Sequence, residues 1–343
     1  MILLWLILLA VICVYGIRLR KPTEDCMDIP QTTAIKGILV FLILLSHVRG
    51  YISLDGKPGE IYDLILSYIG QLMVAPFFFY SGYGVIESFS RKEGYSRHFL
   101  KNRFLKTLVH FCCMIPLFAV MNMLLGIGYP IEDYLLCWTG WTSIGNSNWF
   151  VFDTFVLYLA TWFSFKAFGK AQDKERQKLY VSGLTLFMAL CICVILQRSG
   201  KGDYWYNTVL CYPFGMLYSC FRKRIELILE KRWRRAVLSI LSLVLFFLLY
   251  RIEGSIAYSL CACCFCMVVT LITGYLRIVN PIILWSGKYA FFIYILQRIP
   301  MIVLHSIGLR NTMALISASL AITILLSILY EKVLRTLDRR LFK

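Results

Sequence analysis

Apolar stretches of about 17 to 25 residues recur along the whole chain, and they constrain its fold more than any other feature. Each is long enough to cross a bilayer as a helix, in which every backbone N–H and C=O is paired within the segment. The composition agrees, since 59% of the 343 residues are hydrophobic and only 16% are charged. A soluble domain is thereby excluded. The pattern predicts an all-α, polytopic transmembrane helical bundle of about 10 to 11 spans.

The charge distribution predicts how the chain is oriented. Lys and Arg number 36 against 19 Asp and Glu, which gives a net charge of +17. Most of these basic residues fall in alternate loops, such as 91–106, 166–178 and 222–235. Cytoplasmic loops facing an anionic leaflet carry such an excess. We therefore predict the N-terminus outside and the C-terminus in the cytoplasm, with the lipid bilayer rather than nucleic acid as the partner of this charge.

The polar connections between spans are too short to hold a second folded core, because they reach only roughly 15 to 20 residues. Residues 1–343 are therefore expected to form a single integral-membrane domain. Within it, residues 1–33 form an additional N-terminal helix and linker. Residues 34–334 form the core, and 335–343 form a basic cytoplasmic tail.

Four of the 13 cysteines lie close together in the stretch CACCFC, which begins at Cys261. Their spacing distributes them around a helix, and the segment contains no histidine. Zinc sites in proteins use thiolate and imidazole ligands that converge on one point. We therefore predict that these thiols pack as small apolar groups, and we predict no metal site.

One apolar span contains two ionisable residues. Ala34 to Tyr51 reads AIKGILVFLILLSHVRGY and includes Lys36 and His47, which are eleven positions apart. On an α-helix this spacing places the two side chains roughly 20° apart around the axis and roughly 16 Å apart along it. Ionisable groups facing lipid are costly, so such a stripe faces the bundle interior or a water-filled cavity. We expect this helix to carry the chemistry, with core packing of His47 as the alternative.

The two residue types point to a reaction. A histidine suits general-base catalysis because its pKa lies near neutrality. A lysine at the inner mouth suits a phosphorylated donor, since ammonium groups recognise phosphate. Acyl-coenzyme A satisfies both requirements, with its phosphates near Lys36 and its pantetheine arm carrying the thioester towards His47.

Lys36 and His47 form a K-x10-H pattern that resembles the R-x10-H signature of the acyltransferase 3 family, which are integral-membrane O-acyltransferases. Four later stretches are similar to further motifs of this family, in the same order. These are FFFYSGYG (Phe77–Gly84) with the KNRFLK that follows it, NWFVFDTFVLYL (Asn148–Leu159), YPFGMLY (Tyr212–Tyr218) and GKYAFFIYILQ (Gly287–Gln297).

The chain departs from the family pattern at two site positions. Lys36 replaces the usual arginine, which keeps the charge but loses the bidentate fork. Gln297 stands where many members have histidine. In addition, the helix in residues 1–33 precedes the usual first motif helix, and no extracellular hydrolase-like domain is attached.

The resemblance implies transfer of an acyl group, commonly acetyl, from a cytosolic coenzyme A thioester to a hydroxyl of a sugar. Acceptors in the family belong to capsule, exopolysaccharide or other envelope glycans. The implied location is a bacterial cytoplasmic membrane. The donor, acetyl-coenzyme A, is a substrate, and no permanently bound cofactor is implied.

Carried onto this chain, the resemblance makes His47 the catalytic histidine, acting either as general base or as transient carrier of the acyl group. The donor would be bound by Lys36, Arg103 and Lys106, with Ser81 on a small-residue surface beside it. The alternatives are ordinary positive-inside charge for Arg103 and Lys106, and helix packing for Ser81.

The acceptor would contact residues of the two aromatic motif helices, namely Asn148, Trp149, Tyr294 and Gln297. For Trp149 the alternative is a place in the aromatic belt at the membrane interface.

Asp153 is a further candidate that follows from its position within a span. A carboxylate in a membrane needs a partner. We expect it to orient His47 or to stabilise its protonated form, as the third member of a triad does. Pairing with Arg298 or Lys288 is the alternative.

Two other functions remain open. A glycolipid or sugar transporter, or flippase, could use Lys36, His47, Asp153 and Arg298 as a permeation path. Helices broken by Gly or Pro in matched halves would favour it. A polysaccharide polymerase is a weaker alternative, because it would call for a large outer loop, whereas the outer loops of this chain are short.

Overall fold

The computed structural model describes residues 2–21, 24–168 and 173–342. Met1, residues 22–23 of the predicted linker, residues 169–172 of the basic segment 166–178, and Lys343 lie outside the described residues. Most of the described chain is helical, and its two three-residue strands, β1 (Ile17–Leu19) and β2 (Leu276–Ile278), pair with each other. The α-helices are α1 (Leu3–Val14), α2 (Ile29–Val48), α3 (Gly56–Ile69), α4 (Ala75–Arg91), α5 (Tyr95–Phe99), α6 (Lys106–Cys112), α7 (Ile115–Leu125), α8 (Ile131–Leu136), α9 (Trp149–Phe168), α10 (Lys174–Arg198), α11 (Cys211–Leu229), α12 (Arg232–Tyr250), α13 (Ser255–Thr273), α14 (Pro281–Leu296), α15 (Arg298–Ser306) and α16 (Thr312–Leu341).

The predicted all-α, polytopic membrane fold is confirmed. Among the described residues, eight helical segments are long and apolar enough to cross a membrane, or nine if the bent pair α14–α15 counts as one span. The expectation of 10 to 11 spans also included α1 and α11. Of these, α1 has only 12 residues, and the apolar stretch of α11 ends at the polar run RKRIE. The orientation of the termini stays a prediction.

The motif helix α2 begins earlier than Ala34. It starts at Ile29 because the Asp28 side chain accepts a hydrogen bond from the Gln31 amide and Pro30 lies in the first turn. Aspartate is a strong N-cap, and proline at the first helical positions removes no hydrogen bond. The helix therefore runs without interruption from below Lys36 to beyond His47.

The chain divides into two compact units, each built from separated segments. Unit 1 comprises the described parts of Met1–Met73, Lys106–Phe152 and Arg277–Lys343, and unit 2 comprises those of Val74–Leu105 and Asp153–Leu276. The expectation of a single domain over 1–343 stays a prediction.

In unit 1, α2 and α14 pack backbone against backbone through two glycines. A Cβ added at Gly37 would lie 2.1 Å from the Ile283 carbonyl oxygen, and one at Gly287 would lie 1.9 Å from the Thr33 carbonyl oxygen. Small residues allow this approach between membrane helices. The contact fixes the helix that carries His47 against the helix that ends directly before Gln297.

Asn280 joins the N-terminal helix to the same unit. Its Oδ1 accepts hydrogen bonds from the Ile282 and Ile283 amides and so caps α14. Its Nδ2 donates to the Ile12 and Tyr15 carbonyls at the end of α1. One buried side chain therefore satisfies the open ends of two helices.

The predicted span 282–304 is broken into α14 and α15, which meet at an angle of 47°. Pro300 lies one turn after the break and cannot donate a backbone hydrogen bond to the Leu296 carbonyl. Gln297 occupies the junction, so the break places its side chain at an irregular point inside a span.

In unit 2, α4 and α11 form a second close helix pair. Cβ atoms added at Gly82 and Gly215 would each lie 2.0 Å from a backbone carbonyl oxygen of the other helix. Towards their C-terminal ends, Glu87 accepts a hydrogen bond of 2.8 Å from Ser219 Oγ and lies 3.7 Å from Arg222. The α4–α11 pair is therefore held by small-residue packing together with a hydrogen bond and an ion pair at Glu87.

Candidate active site

His47 lies in the last turn of α2 and is half-buried. Its Nδ1 is 3.0 Å from Gln297 Nε2, which also donates to the Tyr294 carbonyl oxygen at 3.2 Å. An amide nitrogen only donates, so Nδ1 of His47 accepts in this arrangement and the ring proton resides on Nε2. Gln297 is thus a hydrogen-bond partner of His47. Its sequence position suggested only an acceptor contact.

Two aromatic rings lie in succession next to His47. The Tyr294 ring lies 6.2 Å from the imidazole, and the Phe150 ring lies 5.4 Å from Tyr294 in an edge-to-face arrangement. Trp149 is in turn 6.2 Å from Phe150. Unit 1 therefore brings together His47, Gln297, Tyr294 and the first turn of α9, while their catalytic and acceptor roles stay predictions.

Asn148, the fourth acceptor candidate, has a structural use. Its side-chain amide donates to the Gly140 carbonyl oxygen at 2.8 Å, and its backbone carbonyl accepts from the amides of Val151 and Phe152. The residue therefore shapes the loop that leads into α9 and starts that helix. A contact of Asn148 with acceptor stays a prediction.

Lys36 lies on α2 together with His47 and is half-buried. Because α2 is continuous between them, their separation along the axis is roughly 16 Å, as the spacing predicts. The donor-binding role of Lys36 stays a prediction.

Two of the predicted donor-binding residues lie in unit 2. Arg103 belongs to a six-residue π-helical segment, Leu100–Leu105, and its electrostatic neighbours are the hydroxyls of Tyr95, Tyr158 and Tyr212. Ser81 Oγ lies 3.0 Å from the Tyr158 hydroxyl. Arg103 and Ser81 are therefore connected through a shared tyrosine. Segments of π-helix inside α-helices are frequent at functional sites.

Lys106 has different surroundings. It forms an ion pair of 2.7 Å with Asp338 of α16, and His110 Nε2 lies 2.9 Å from the same carboxylate. This cluster ties α6 to α16 within unit 1. The charge of Lys106 is already matched by a carboxylate, whereas Arg103 faces phenol hydroxyls.

Asp153 is fully buried in α9, within unit 2. Among the residues that the structure describes, neither of its carboxylate oxygens has a hydrogen-bond partner. Its electrostatic neighbours include Cys193. The triad role of Asp153 and its alternative pairings stay predictions.

Arg298 is a further cation near His47, and the sequence suggested it as a partner for Asp153 or as part of a transporter's permeation path. Arg298 begins α15, directly after Gln297, and lies within electrostatic range of His47. Its Nη2 donates to the Tyr51 hydroxyl at 3.3 Å. Pro300, which breaks the span at this point, is the sequence signal that could have singled out this junction.

The model of one protein family, described as an acyltransferase domain and named acyltransferase 3, matches residues 30–332. This range covers α2 with both Lys36 and His47, and it extends into α16. No curated protein and no solved structure matches the chain. The match includes nearly the whole chain, so the protein belongs to the acyltransferase 3 family and is a membrane acyltransferase.

Proposed function

We propose that this protein transfers an acyl group, acetyl in the simplest case, from cytosolic acyl-coenzyme A to a hydroxyl of a cell-surface or exported sugar. The observation that carries the proposal is the hydrogen-bonded His47–Gln297 pair at the break of a membrane span. A general base or nucleophile must be positioned by a second group, and an irregular point inside a span is where polar chemistry is tolerated.

The reaction is an exchange of ester bonds. The acceptor hydroxyl oxygen attacks the thioester carbonyl carbon, the carbon–sulfur bond breaks, and the hydroxyl proton ends on the coenzyme A thiol. His47 can move this proton directly as a general base. Alternatively, it can take the acyl group first and pass it to the hydroxyl. Both routes give the same products, an O-acyl sugar and free coenzyme A.

Arg103 in unit 2 is our candidate for binding the donor phosphates, and Lys36 in unit 1 is a separate candidate that rests on its spacing from His47 along α2. A guanidinium surrounded by tyrosine hydroxyls offers both charge and additional hydrogen-bond donors to a phosphate. Lys106 is the weaker donor contact, because Asp338 is already 2.7 Å from its amine. The acceptor sugar would stack against the aromatic groups that adjoin His47, which are Tyr294, Phe150 and Trp149.

A transporter remains the second candidate. It would be favoured by helices broken at Gly or Pro in matched halves. Among the described residues, one span is broken, α14–α15, and it lies in unit 1. A single broken span supports one local site better than it supports a transporter, in which two halves would each contain a broken helix.

The test compares the envelope polysaccharide of wild-type cells with that of a His47→Ala strain, by mass and proton NMR. We expect the ester-linked acyl group to disappear while the amount of glycan stays unchanged. Asp153→Asn, made in parallel, shows whether the buried carboxylate takes part, since near wild-type acylation would remove its catalytic role.

The transporter makes the opposite prediction for His47→Ala. Surface glycan would itself be lost, while acylation of the remaining glycan would be unchanged. That result would overturn the proposed acyl transfer.

A further inference from the structure

Arg298 is a cation in a membrane-embedded position without an anionic partner. Its Nε is buried and has no hydrogen-bond partner, and no ion pair involves its guanidinium among the residues that the structure describes. The contact from Nη2 is to the neutral Tyr51 hydroxyl. Charged groups within membrane bundles are paired or functional, since an uncompensated charge is costly there. Arg298 is therefore placed to receive an anion from outside the chain.

Further basic and hydrogen-bonding side chains lie next to one another beyond Arg298. The Tyr51 and His305 rings pack edge to face at 5.7 Å, and His305 Nδ1 lies 3.1 Å from the Tyr51 carbonyl oxygen. Arg310 Nη1 lies 2.8 Å from His305 Nε2. We call Arg298, Tyr51, His305 and Arg310 the Arg298 strip. All four belong to unit 1, as does His47.

Other arginines of the same unit are neutralised within the protein. Arg49 forms an ion pair with Asp63 and donates to Ser67 Oγ at 3.0 Å. Arg277 lies 3.0 Å from Asp28. Arg298 and Arg310, by contrast, have no such carboxylate partner among the residues that the structure describes.

One acidic residue, Asp133, is linked to the Arg298 strip through Tyr129. It is an electrostatic neighbour of Tyr129, and Tyr129 is also a neighbour of Arg298 and Tyr51. No ion pair joins Asp133 to Arg298 among the described residues. Asp133 therefore does not neutralise the Arg298 guanidinium by an ion pair.

We propose that the Arg298 strip binds an anionic group of the acceptor, so that the substrate is an acidic sugar bearing a carboxylate or phosphate near the acylated hydroxyl. Guanidinium groups bind both anions through charge-assisted, bidentate hydrogen bonds. Bound there, the anion would hold the acceptor beside His47. This inference rests on the proposed acyl transfer for its biological meaning, but the binding step can be measured without it.

The first experiment measures binding without a donor. Thermal unfolding of the detergent-solubilised protein is followed with methyl glucuronide, glucose 6-phosphate or the neutral methyl glucoside. We expect the acidic sugars to raise the unfolding temperature and the neutral sugar to leave it unchanged. A difference between the two acidic sugars identifies which anion the strip takes.

Arg298→Gln should weaken binding of the acidic sugar by about 10- to 100-fold, the range for loss of a charge-assisted hydrogen bond. Arg298→Lys keeps the charge and should retain part of the affinity. Arg49→Gln is the matched control, since its charge is already paired with Asp63, and it should bind like wild type. If Arg298→Gln lowers the unfolding temperature without ligand, Arg310→Gln provides a milder test with the same direction.

Equal stabilisation by neutral and acidic sugars, no stabilisation by the acidic ones, or unchanged binding in Arg298→Gln would each overturn the proposed anion site.

The second experiment adds acetyl-coenzyme A and measures transfer of the acetyl group to the same sugars. Binding without any His47-dependent transfer would refute the acyltransfer to sugars and leave the anion site standing. Transfer that favours methyl glucoside and survives Arg298→Gln would refute the anion site alone. If Arg298→Gln lowers kcat equally for all acceptors, the guanidinium acts on the reacting carbonyl instead, and the acceptor-anion site is wrong.

Discussion

The amide of Gln297 offers His47 two different partners, depending on how it is turned. With Nε2 on His47 Nδ1, as in the structure, the imidazole carries its proton on Nε2. With Oε1 there, the proton moves to Nδ1, and Nε2 becomes a free base. Gln297 Oε1 is buried and has no hydrogen-bond partner among the described residues, so it is available for this exchange. The turn would give up the bond to the Tyr294 carbonyl.

This dual role predicts the effects of three substitutions at Gln297. Gln297→Leu leaves His47 Nδ1 without a partner and should lower kcat by about 10- to 100-fold, since an unsatisfied buried polar group costs about 1–3 kcal/mol. Gln297→Glu supplies only acceptors and should keep much of the activity by holding the base-competent tautomer. Gln297→His introduces the residue that is common in the family and should also retain activity.

The measurement is acyl transfer by purified variants in lipid vesicles. Ser286→Ala is the control, because its hydroxyl bonds only within the same helix, to the Ile283 carbonyl oxygen at 2.9 Å. Wild-type kcat in Gln297→Leu would show that the pair does not serve the reaction.

At the scale of elements, the geometry of the His47–Gln297 hydrogen bond depends on how closely α2 and α14 approach each other. Gly287→Ala should force the two backbones apart, because the new methyl group would lie 1.9 Å from the Thr33 carbonyl oxygen. Overpacking of this kind costs about 1–3 kcal/mol. We expect a lower unfolding temperature together with reduced acyl transfer, since α14 carries Gln297 towards His47.

Gly183→Ala in α10 provides the comparison. No atom lies within 4 Å of the added Cβ, and alanine favours a helix over glycine by about 0.5–1 kcal/mol. Its unfolding temperature should equal or exceed that of wild type. Equal behaviour of the two variants would contradict a tight α2–α14 contact.

The linker between α1 and α2 predicts a pH dependence of stability. Arg18 donates hydrogen bonds to Glu24, and this contact lowers the pKa of the Glu24 carboxyl from 4.5 to about 2. Arg277 of β2 lies 3.6 Å from the same carboxylate. A carboxyl with a lowered folded-state pKa stabilises the protein above its unfolded pKa, and this contribution is lost as the pH falls towards the folded value.

We therefore expect wild type to unfold at a higher temperature than Glu24→Gln at pH 6, with the difference shrinking between pH 4.5 and pH 2. Thermal unfolding at a series of pH values measures this. A difference that stays constant over the range would mean that Glu24 is not held in its charged form by Arg18.

Elements with a strong local signal were predictable from the sequence. Apolar runs located the hairpin of α12 and α13 within a few residues, because hydropathy alone determines such spans. The early start of α2 depended on a local cap at Asp28, and the break before α15 on Pro300. Asp28 and Pro300 are visible in the sequence, but where they end or begin a helix also depends on packing.

The hydrogen bond between His47 and Gln297 could not be predicted from the sequence. Gln297 and His47 are 250 positions apart, and helical periodicity does not specify which helices become neighbours. The contact follows from Gly37 and Gly287, whose close approach is a tertiary property. Family motifs marked both helices, but they did not indicate that the amide bonds the imidazole.

At the scale of the whole molecule, the proposed route of the acyl group depends on orientation. Donor phosphates at Lys36 and an acceptor at His47 require the start of α2 to face the cytoplasm. The basic loops after α4 and α11 predict the same, since Lys and Arg accumulate on the cytoplasmic side. The segment between α2 and α3, which contains Asp55, should then be outside.

Reporter fusions test this arrangement. Alkaline phosphatase inserted before Asp55, in the segment between α2 and α3, should be active, because it folds only outside the cytoplasm, whereas the same enzyme after Lys92 should be inactive. A green fluorescent protein fused at the C-terminus should fluoresce, as it does only inside. The reverse pattern would place Lys36 on the outer side, away from coenzyme A, and a donor route along α2 would then be impossible even if His47 were essential.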